Sequence, residues 1–403
     1  MESPAQPEVR IFNRRPMAVA ALSLAAGIVL SPRIKSTWLI IAVCFFAFLL
    51  VLVLFESRHT LAIAIIMLSL GMLCAYASIM LPRPSLPVLS EFFYSIKDAL
   101  CLRTDVLFGH NSGVLSGMLW GEKADISQAA LDIFRDTGIA HVFALSGLHV
   151  SFFVGAFMLV LPKHKRWLRF ILVFAFLLLY CSVCAFPASL VRASVMALCL
   201  LGSNLLGRPG DSLSSLCFAA IVILLCAPAQ LAKAGFLMSF AAVAAIAMLG
   251  GGIKYALRPL GKVASATVSV SISASLGTLP LIAHYFQRIP LLSLPANLLI
   301  LPALPVAVLC GFIAVILDFI SPILSFLPAL ISNFLIDVVV RVSSLVANMP
   351  LCAIDVKDFP ATACILYFLA LLAISRYTLL RPLYKWSIFS FLLLLCLAVT
   401  VLL

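Results

Sequence analysis

Asp136-Thr-Gly-Ile-Ala-His-Val-Phe-Ala-Leu-Ser-Gly-Leu-His-Val-Ser-Phe-Phe-Val-Gly155 opens a long apolar segment, yet it carries His141, Ser146, Gly147 and His149. Polar groups inside hydrocarbon are costly and are turned toward a bundle interior or a watery cavity. The Ser-Gly pair weakens a helix, because Gly gains the most backbone freedom when released from it. Helices broken at membrane depth occur where protein or a water-filled cavity satisfies the freed backbone groups. The stretch therefore reads as an interrupted membrane helix lining something wet. The alternative is a continuous helix with a close-packing glycine and two hydrogen-bonded histidines.

The rest of the chain supports a membrane class. Hydrophobic residues make up 64% and charged residues 10%, and apolar runs of about 20 residues are long enough to cross a bilayer as helices. The formal net charge of +12 suits nucleic acid or anionic lipid, but the Lys/Arg excess of cytoplasmic loops accounts for it first. The twelve cysteines are scattered, mostly within apolar runs. Cys181 and Cys184 stand one helical turn apart, with no second pair and no His cluster, so neither a metal site nor a redox motif is indicated. No nucleotide-binding glycine-rich loop occurs, and no cofactor is expected.

Taken in order, the apolar runs are Ala18–Leu30, Trp38–Phe55 and Leu61–Leu81. A composition break with three prolines and scattered charges follows from Pro82 to Ser112. Gly113–Phe134 reads as amphipathic, with Ser127 as a helix N-cap. After the organising helix, His141–Leu161, comes the densest basic cluster, Pro162–Arg169. The next runs are Phe170–Ala185, Ala188–Leu206 after a break at Pro187, Leu213–Cys226, Gly235–Leu249 ending at three glycines, and Val263–Ala283. Leu291–Leu317 is interrupted by Pro295, Pro302 and Pro305, which predicts two pieces or a re-entrant element. Ile323–Ala347, Ala361–Ser375 and Ile388–Leu403 close the chain. The expected fold is an all-α polytopic membrane protein of about 11–13 transmembrane helices, some broken or re-entrant, with one amphipathic helix. Its divisions are residues 1–81, 82–140, 141–317 and 318–403.

Several stretches resemble the competence domain of the ComEC family in that family's order. Gly138-Ile-Ala-His-Val-Phe-Ala-Leu-Ser-Gly-Leu-His-Val150 resembles its signature. Gly121–Ser127, Arg192–Met196, Gly207-Arg-Pro-Gly-Asp211, Ala234–Phe240, Pro280, Phe286 and Pro295-Ala-Asn297 resemble further landmarks. The resemblance implies an inner-membrane channel for uptake of single-stranded DNA. Its implied partners are single-stranded DNA and membrane lipid, a separate nuclease, a DNA receptor and a cytoplasmic helicase, and further copies of the chain. It also implies that this chain lacks both the external oligonucleotide-binding fold and the C-terminal metallo-β-lactamase-like domain of many members.

Candidate residues follow from these two readings. His141, Ser146, Gly147, His149, Arg192 and Ser239 are assigned to the path, with Arg192 near the outer mouth as a phosphate contact or a snorkelling side chain. Arg208 with Asp211, in a tight turn, and Asp337 with Arg341, at i,i+4, read as ion pairs. No residue is assigned to catalysis or metal binding. Ser146 and His149 share a helix face, as a nucleophile and base would, but no G-x-S-x-G elbow surrounds Ser146. With a cytoplasmic N-terminus, fifteen of the 27 Lys and Arg fall inside and ten outside, and half of those ten lie in the 82–140 section, read as external. Short-loop charge therefore favours this orientation, in a bacterial plasma membrane. The competing function is a small-solute transporter built from broken helices.

Overall fold

The computed structural model describes residues 16–31, 59–80, 87–142, 145–356, 359–375 and 382–402. Residues 1–15, the run read as a second span at Trp38–Phe55 and the Pro82–Pro84 break lie outside these residues. The helices are α1 (Pro16–Leu30), α2 (His59–Met80), α3 (Pro87–Phe108), α4 (Ser112–Trp120), α5 (Gln128–Asp136), α6 (Gly147–Val160), α7 (Arg166–Val183) and α8 (Ala188–Leu205). They continue as α9 (Ser212–Cys226), α10 (Ala234–Ala256), α11 (Lys262–Phe286), α12 (Ser293–Ile300), α13 (Leu304–Asp318), α14 (Pro322–Ala347), α15 (Ala361–Ile374) and α16 (Pro382–Leu402). Two three-residue strands, β1 (Arg288–Pro290) and β2 (Ala353–Asp355), pair antiparallel with Ile289 opposite Ile354.

The fold is that of an all-α polytopic membrane protein. Among the described residues, α2, α7, α8, α10, α11 and α14 are each long and apolar enough to cross a bilayer. Helices α12 and α13 together form a further span, bent by 49°. The prolines at 302 and 305 explain the bend, since each removes a backbone donor between the two pieces. Shorter apolar helices among the described residues are α1, α6, α9, α15 and the Tyr384–Leu397 part of α16.

Contacts divide the chain into two units that interleave along it. The first comprises residues 1–84, 211–251 and 360–403, and the second 85–210 and 252–359. In the first unit α1 crosses α2 at glycines. A Cβ on Gly27 would lie 2.1 Å from the Leu68 carbonyl oxygen, and one on Gly71 2.2 Å from that of Leu24. Apolar surface gives little drive for association in lipid, so backbone-to-backbone approach of this kind supplies the packing. Ser31 adds a hydrogen bond to the Met72 carbonyl at 3.2 Å. Helices α15 and α16 form a second hairpin in this unit.

The second unit is built on the α13–α14 hairpin. Ser332 donates to the Ala307 carbonyl at 2.8 Å, and Ser325, Ser332 and Ser343 form a buried small-residue line down α14. Aromatic rings from α6, α7 and α13 meet at Phe153, Phe176, Tyr180 and Phe312. Phe153 lies 4.8 Å from Phe312 and 5.2 Å from Tyr180, edge to face. Tyr180 donates to the Leu119 carbonyl at 2.7 Å and Trp120 to Thr104 at 3.0 Å, so the polar ends of both buried rings are satisfied. Helix α4 packs beside the middle of the hairpin, because a Cβ on Gly311 would touch Ser332, Leu115 and Leu119.

Three sequence expectations are corrected. The section 87–108 is a 22-residue helix, not a break. After Pro87 it contains neither Pro nor Gly, and its charges find partners: Lys97 pairs with Glu122 at 2.8 Å and Arg103 with Asp318 at 3.2 Å. Gly113–Phe134 is not one amphipathic element. Helix α4 is buried from Gly113 through Trp120, and only α5 is amphipathic, with Ser127 accepting from the Ala130 amide at 3.2 Å. Helix α10 runs through Gly250-Gly-Gly252 to Ala256, with Lys254 favourably placed in its last turn.

The section 82–140 is read above as external; its described part, from residue 87, reaches both ends of α14. Arg103 meets Asp318 at the turn joining α13 to α14, whereas Asp136 meets Arg288 at the β1–β2 ribbon, beyond the other end of α14. The chain between them runs the length of α14.

Candidate functional site

Gly138 turns the chain toward the site. Its φ of +72° suits glycine, and a Cβ there would come within 2.6 Å of Ser293 and 2.9 Å of Pro290. The short turn Ala140–Val142 follows, where the Nδ1 atom of the exposed His141 lies 3.1 Å from the Gly138 carbonyl oxygen. Helix α6 then starts at Gly147. Ser146 is its N-cap, in extended conformation, and accepts from the Leu148 amide at 3.3 Å. The Ser146 amide donates to His149 Nδ1 at 3.2 Å, completing a capping box. The Ser-Gly pair is thus the beginning of a helix, not an interruption inside one. The sequence reading expected a break here; what it did not give was that Ser146 and His149 cap each other.

Because Nδ1 accepts from a backbone N–H, the proton of neutral His149 sits on Nε2. That nitrogen is buried and has no partner among the described residues. Ser146 Oγ is also 3.2 Å from His149 Nδ1, the separation of a nucleophile and its base. Both atoms are engaged in the cap, so the geometry serves helix initiation.

Arg192 stands beside this terminus. The chain leaves α7 through two residues of left-handed conformation, Ala185 (φ 58°) and Phe186 (φ 51°), and α8 begins after Pro187. Ser189 donates to the Leu145 carbonyl at 2.5 Å, tying the start of α8 to the start of α6. Arg192, one turn further, is only 6% exposed, and its Nη2 lies 3.4 Å from where a Cβ on Gly147 would be. Its Nη1 lies 3.6 Å from Met196 Sδ.

The surroundings of the site follow from packing. Gly121, which ends α4, would set a Cβ 3.0 Å from the Leu145 side chain, and α4 lies beside the middle of the α13–α14 hairpin. The first turn of α6 therefore lies close to the end of α4, within the second unit. A helix N-terminus carries unsatisfied N–H groups and about half a positive charge, and here a guanidinium lies beside it. The arrangement suits an anionic group, as at the half-helices of transporters.

Residues 118–381 match the family described as Competence protein. This chain belongs to that family. The chain is also 26% identical over 217 residues to ComE operon protein 3 of Bacillus subtilis (strain 168). That match covers 53% of this chain and 27% of the relative's length. No solved structure matches.

The competence-family region contains every residue singled out from the sequence, but the structure does not bring them all together. Ser146, Gly147, His149 and Arg192 come together, and His141 stands five residues before Ser146 in the chain. Ser239 belongs to the other unit, half-buried on α10 beside Phe236 and Phe240, whose rings stack at 4.2 Å. Asp211 N-caps α9, accepting from the Ser214 amide at 3.0 Å and its hydroxyl at 2.6 Å, while Arg208 is exposed.

Asp337 has the charge of Arg341 acting on it, one turn along α14, and closer partners besides. The Asp337 carboxylate lies 3.0 Å from His110 Nε2 and accepts from Asn111 Nδ2 at 2.7 Å, and Arg341 is exposed. The i,i+4 rule places Arg341 nearby, but a buried amide from another element reaches the carboxylate with better geometry. His110, Asn111 and Asn333 were missed from the sequence. The available signal was Asn333-Asp337-Arg341, three polar residues at four-residue steps in an apolar span.

Proposed function

We propose that this competence-family chain conducts single-stranded DNA across the bacterial plasma membrane during transformation, with its N-terminus in the cytoplasm. The observation that supports this reading is the start of α6 beside the buried Arg192, in a unit whose helices α7, α8, α11 and α14 are long and apolar enough to cross a bilayer. A nucleic-acid backbone crossing a bilayer needs positive potential where the hydrocarbon would otherwise be deepest. The α6 N-terminus and the guanidinium supply it without a mobile counterion. Arg192 is buried here, so contact with a phosphate requires the starts of α6 and α8 to part. Membrane lipid, a DNA receptor, a helicase, a nuclease and further copies of the chain are partners within the same reading.

The alternative, a small-solute transporter, predicts a pocket with converging polar groups. An apolar cavity of about 350 Å³ in the first unit is lined by Ala241, Met248, Phe368 and Leu372 among others, and offers no such group.

The test is to measure DNA uptake and membrane abundance for Arg192→Lys, Arg192→Ala and Gly147→Leu. Losing a charge-assisted hydrogen bond costs about 1.5–3 kcal/mol, or roughly tenfold or more in rate. Arg192→Ala should therefore cut uptake at least about tenfold at unchanged abundance, with Lys restoring part of it. Gly147→Leu should block uptake by filling the space in front of Arg192. Normal uptake by well-inserted Arg192→Ala and Gly147→Leu proteins would remove this site from the path.

A further inference from the structure

Helix α14 has 26 residues and is about 39 Å long. Asp337 is its sixteenth residue, about 22 Å from one end and about 15 Å from the other, inside a hydrocarbon core about 30 Å thick. Its carboxylate is held by Asn111, which is 4% exposed and also donates to Asn333 Oδ1 at 2.5 Å. Yet the side chain of Asp337 is 35% exposed, and that of its partner His110 72% exposed. An imidazole and a carboxylate facing lipid at this depth are costly, and such groups face protein or water instead.

Other features indicate water at this edge. The loop that folds back on Gly113, bringing the Asp125 carbonyl to 2.4 Å from its would-be Cβ, presents Lys123, Asp125 and Ser127 exposed beside the same part of the hairpin. A carboxylate repels phosphates, so this edge is chemically unlike the Arg192 site.

We infer that His110 and Asp337, positioned by Asn111 and Asn333, form a proton-binding site open to water near the middle of the α14 span. In the described state Nε2–H donates to carboxylate Oδ1, so a proton entering from water adds to imidazole Nδ1 and leaves an imidazolium paired with the carboxylate. Two titratable donors fall short of the three or four that hold a transition metal. Among the described residues no group of three or more His, Cys, Asp or Glu gathers here or elsewhere.

The surrounding charges are largely engaged with one another. From α3 and α13, Arg103 pairs with Asp318; from α5, Arg135 pairs with Asp132 and Asp136 with Arg288. Arg341, one turn along α14, the exposed Asp105 on α3 and the exposed Lys123 and Asp125 of the loop before α5 are the other charges here.

The inference stands apart from the DNA reading and is tested on the full chain, free of its native cysteines, in phospholipid vesicles. A charged, membrane-impermeant thiol reagent should modify His110→Cys but not Ile331→Cys, which sits on the exposed apolar face of α14. Separately, the acid-minus-neutral infrared difference spectrum of the unsubstituted chain should contain an imidazolium band component missing from that of His110→Gln. The midpoint of that component should fall by at least about one pH unit, tenfold in proton affinity, in Asp337→Asn. Failure of His110→Cys to react means that lipid or a second copy covers the edge, and overturns the inference. So does a band absent from the unsubstituted chain, one insensitive to both substitutions, or a midpoint that tracks sodium concentration.

Discussion

At the scale of single residues, two glycines of the signature stretch have different jobs. Gly138 is required twice over, by its positive φ and by the Ser293 and Pro290 side chains that occupy the space of a Cβ. Gly147 has ordinary helical geometry, and a Cβ there would meet Arg192 and Ala193 at 3.4 and 3.6 Å, normal contact distances. Gly138→Ala should therefore destabilise the second unit by about 1–3 kcal/mol, the usual cost of forcing atoms into a packed site. Gly147→Ala should change stability by less than about 0.5 kcal/mol. Thermal unfolding in detergent separates the two, and equal losses would contradict this division of roles. In the sequence the two glycines look alike. What distinguishes them is the ribbon and α12, some 150 residues later in the chain, which no local pattern reveals.

At the scale of elements, the apolar helices were legible and the polar ones were not. The spans are set by long apolar runs, and the α12–α13 bend by prolines; both are local properties. Helix α3 is different, because its charges look like those of a loop until their partners are known. Lys97 meets Glu122 from the turn after α4. The Lys97 hydrogen bond is the main cause that holds Glu122 below its ordinary 4.5. Burial works to lower the Lys97 pKa, but the hydrogen bond and charge of Glu122 outweigh it and raise it above 10.5.

The signs fix the pH behaviour of this link. A depressed carboxyl contributes stability that is present above 4.5 and lost as pH falls through its folded value. A raised ammonium contributes stability that is present below 10.5 and lost as pH rises through its folded value. The pair should therefore stabilise the α3–α4 junction across neutral pH by up to about 1 kcal/mol, since Glu122 is about one-third exposed. Protease cleavage within Gly121–Ser127 should quicken below pH 4.5, and Glu122→Gln should cleave faster at neutral pH with a flatter acid response. Identical profiles for both proteins would show that the ion pair does not hold the turn.

At the scale of the whole molecule, sidedness is constrained by which chain ends meet. Within the second unit the ends of α11 and α14 meet at the β1–β2 ribbon, where Arg288 joins Asp355 and Asp136. Loop charge puts both ends of that ribbon on the same, external side, and the pairing requires that they share a side. The same charge reading put all of 82–140 outside, and there packing disagrees, because Arg103 is held at the α13–α14 turn. Packing is the stronger evidence, since a 3.2 Å ion pair fixes position whereas a charge bias only weights one orientation over the other. Cysteines at Asp105, Ser321 and Met349, in a chain lacking its native cysteines, decide between them. With an impermeant thiol reagent on intact spheroplasts, Met349→Cys should be labelled at once, and Asp105→Cys and Ser321→Cys only after lysis. Labelling of Asp105→Cys together with Met349→Cys would return the whole section to the outside and break the link between Arg103 and the α13–α14 turn. Labelling of Ser321→Cys in intact cells, with Met349→Cys protected, would keep the fold and invert the molecule in the membrane.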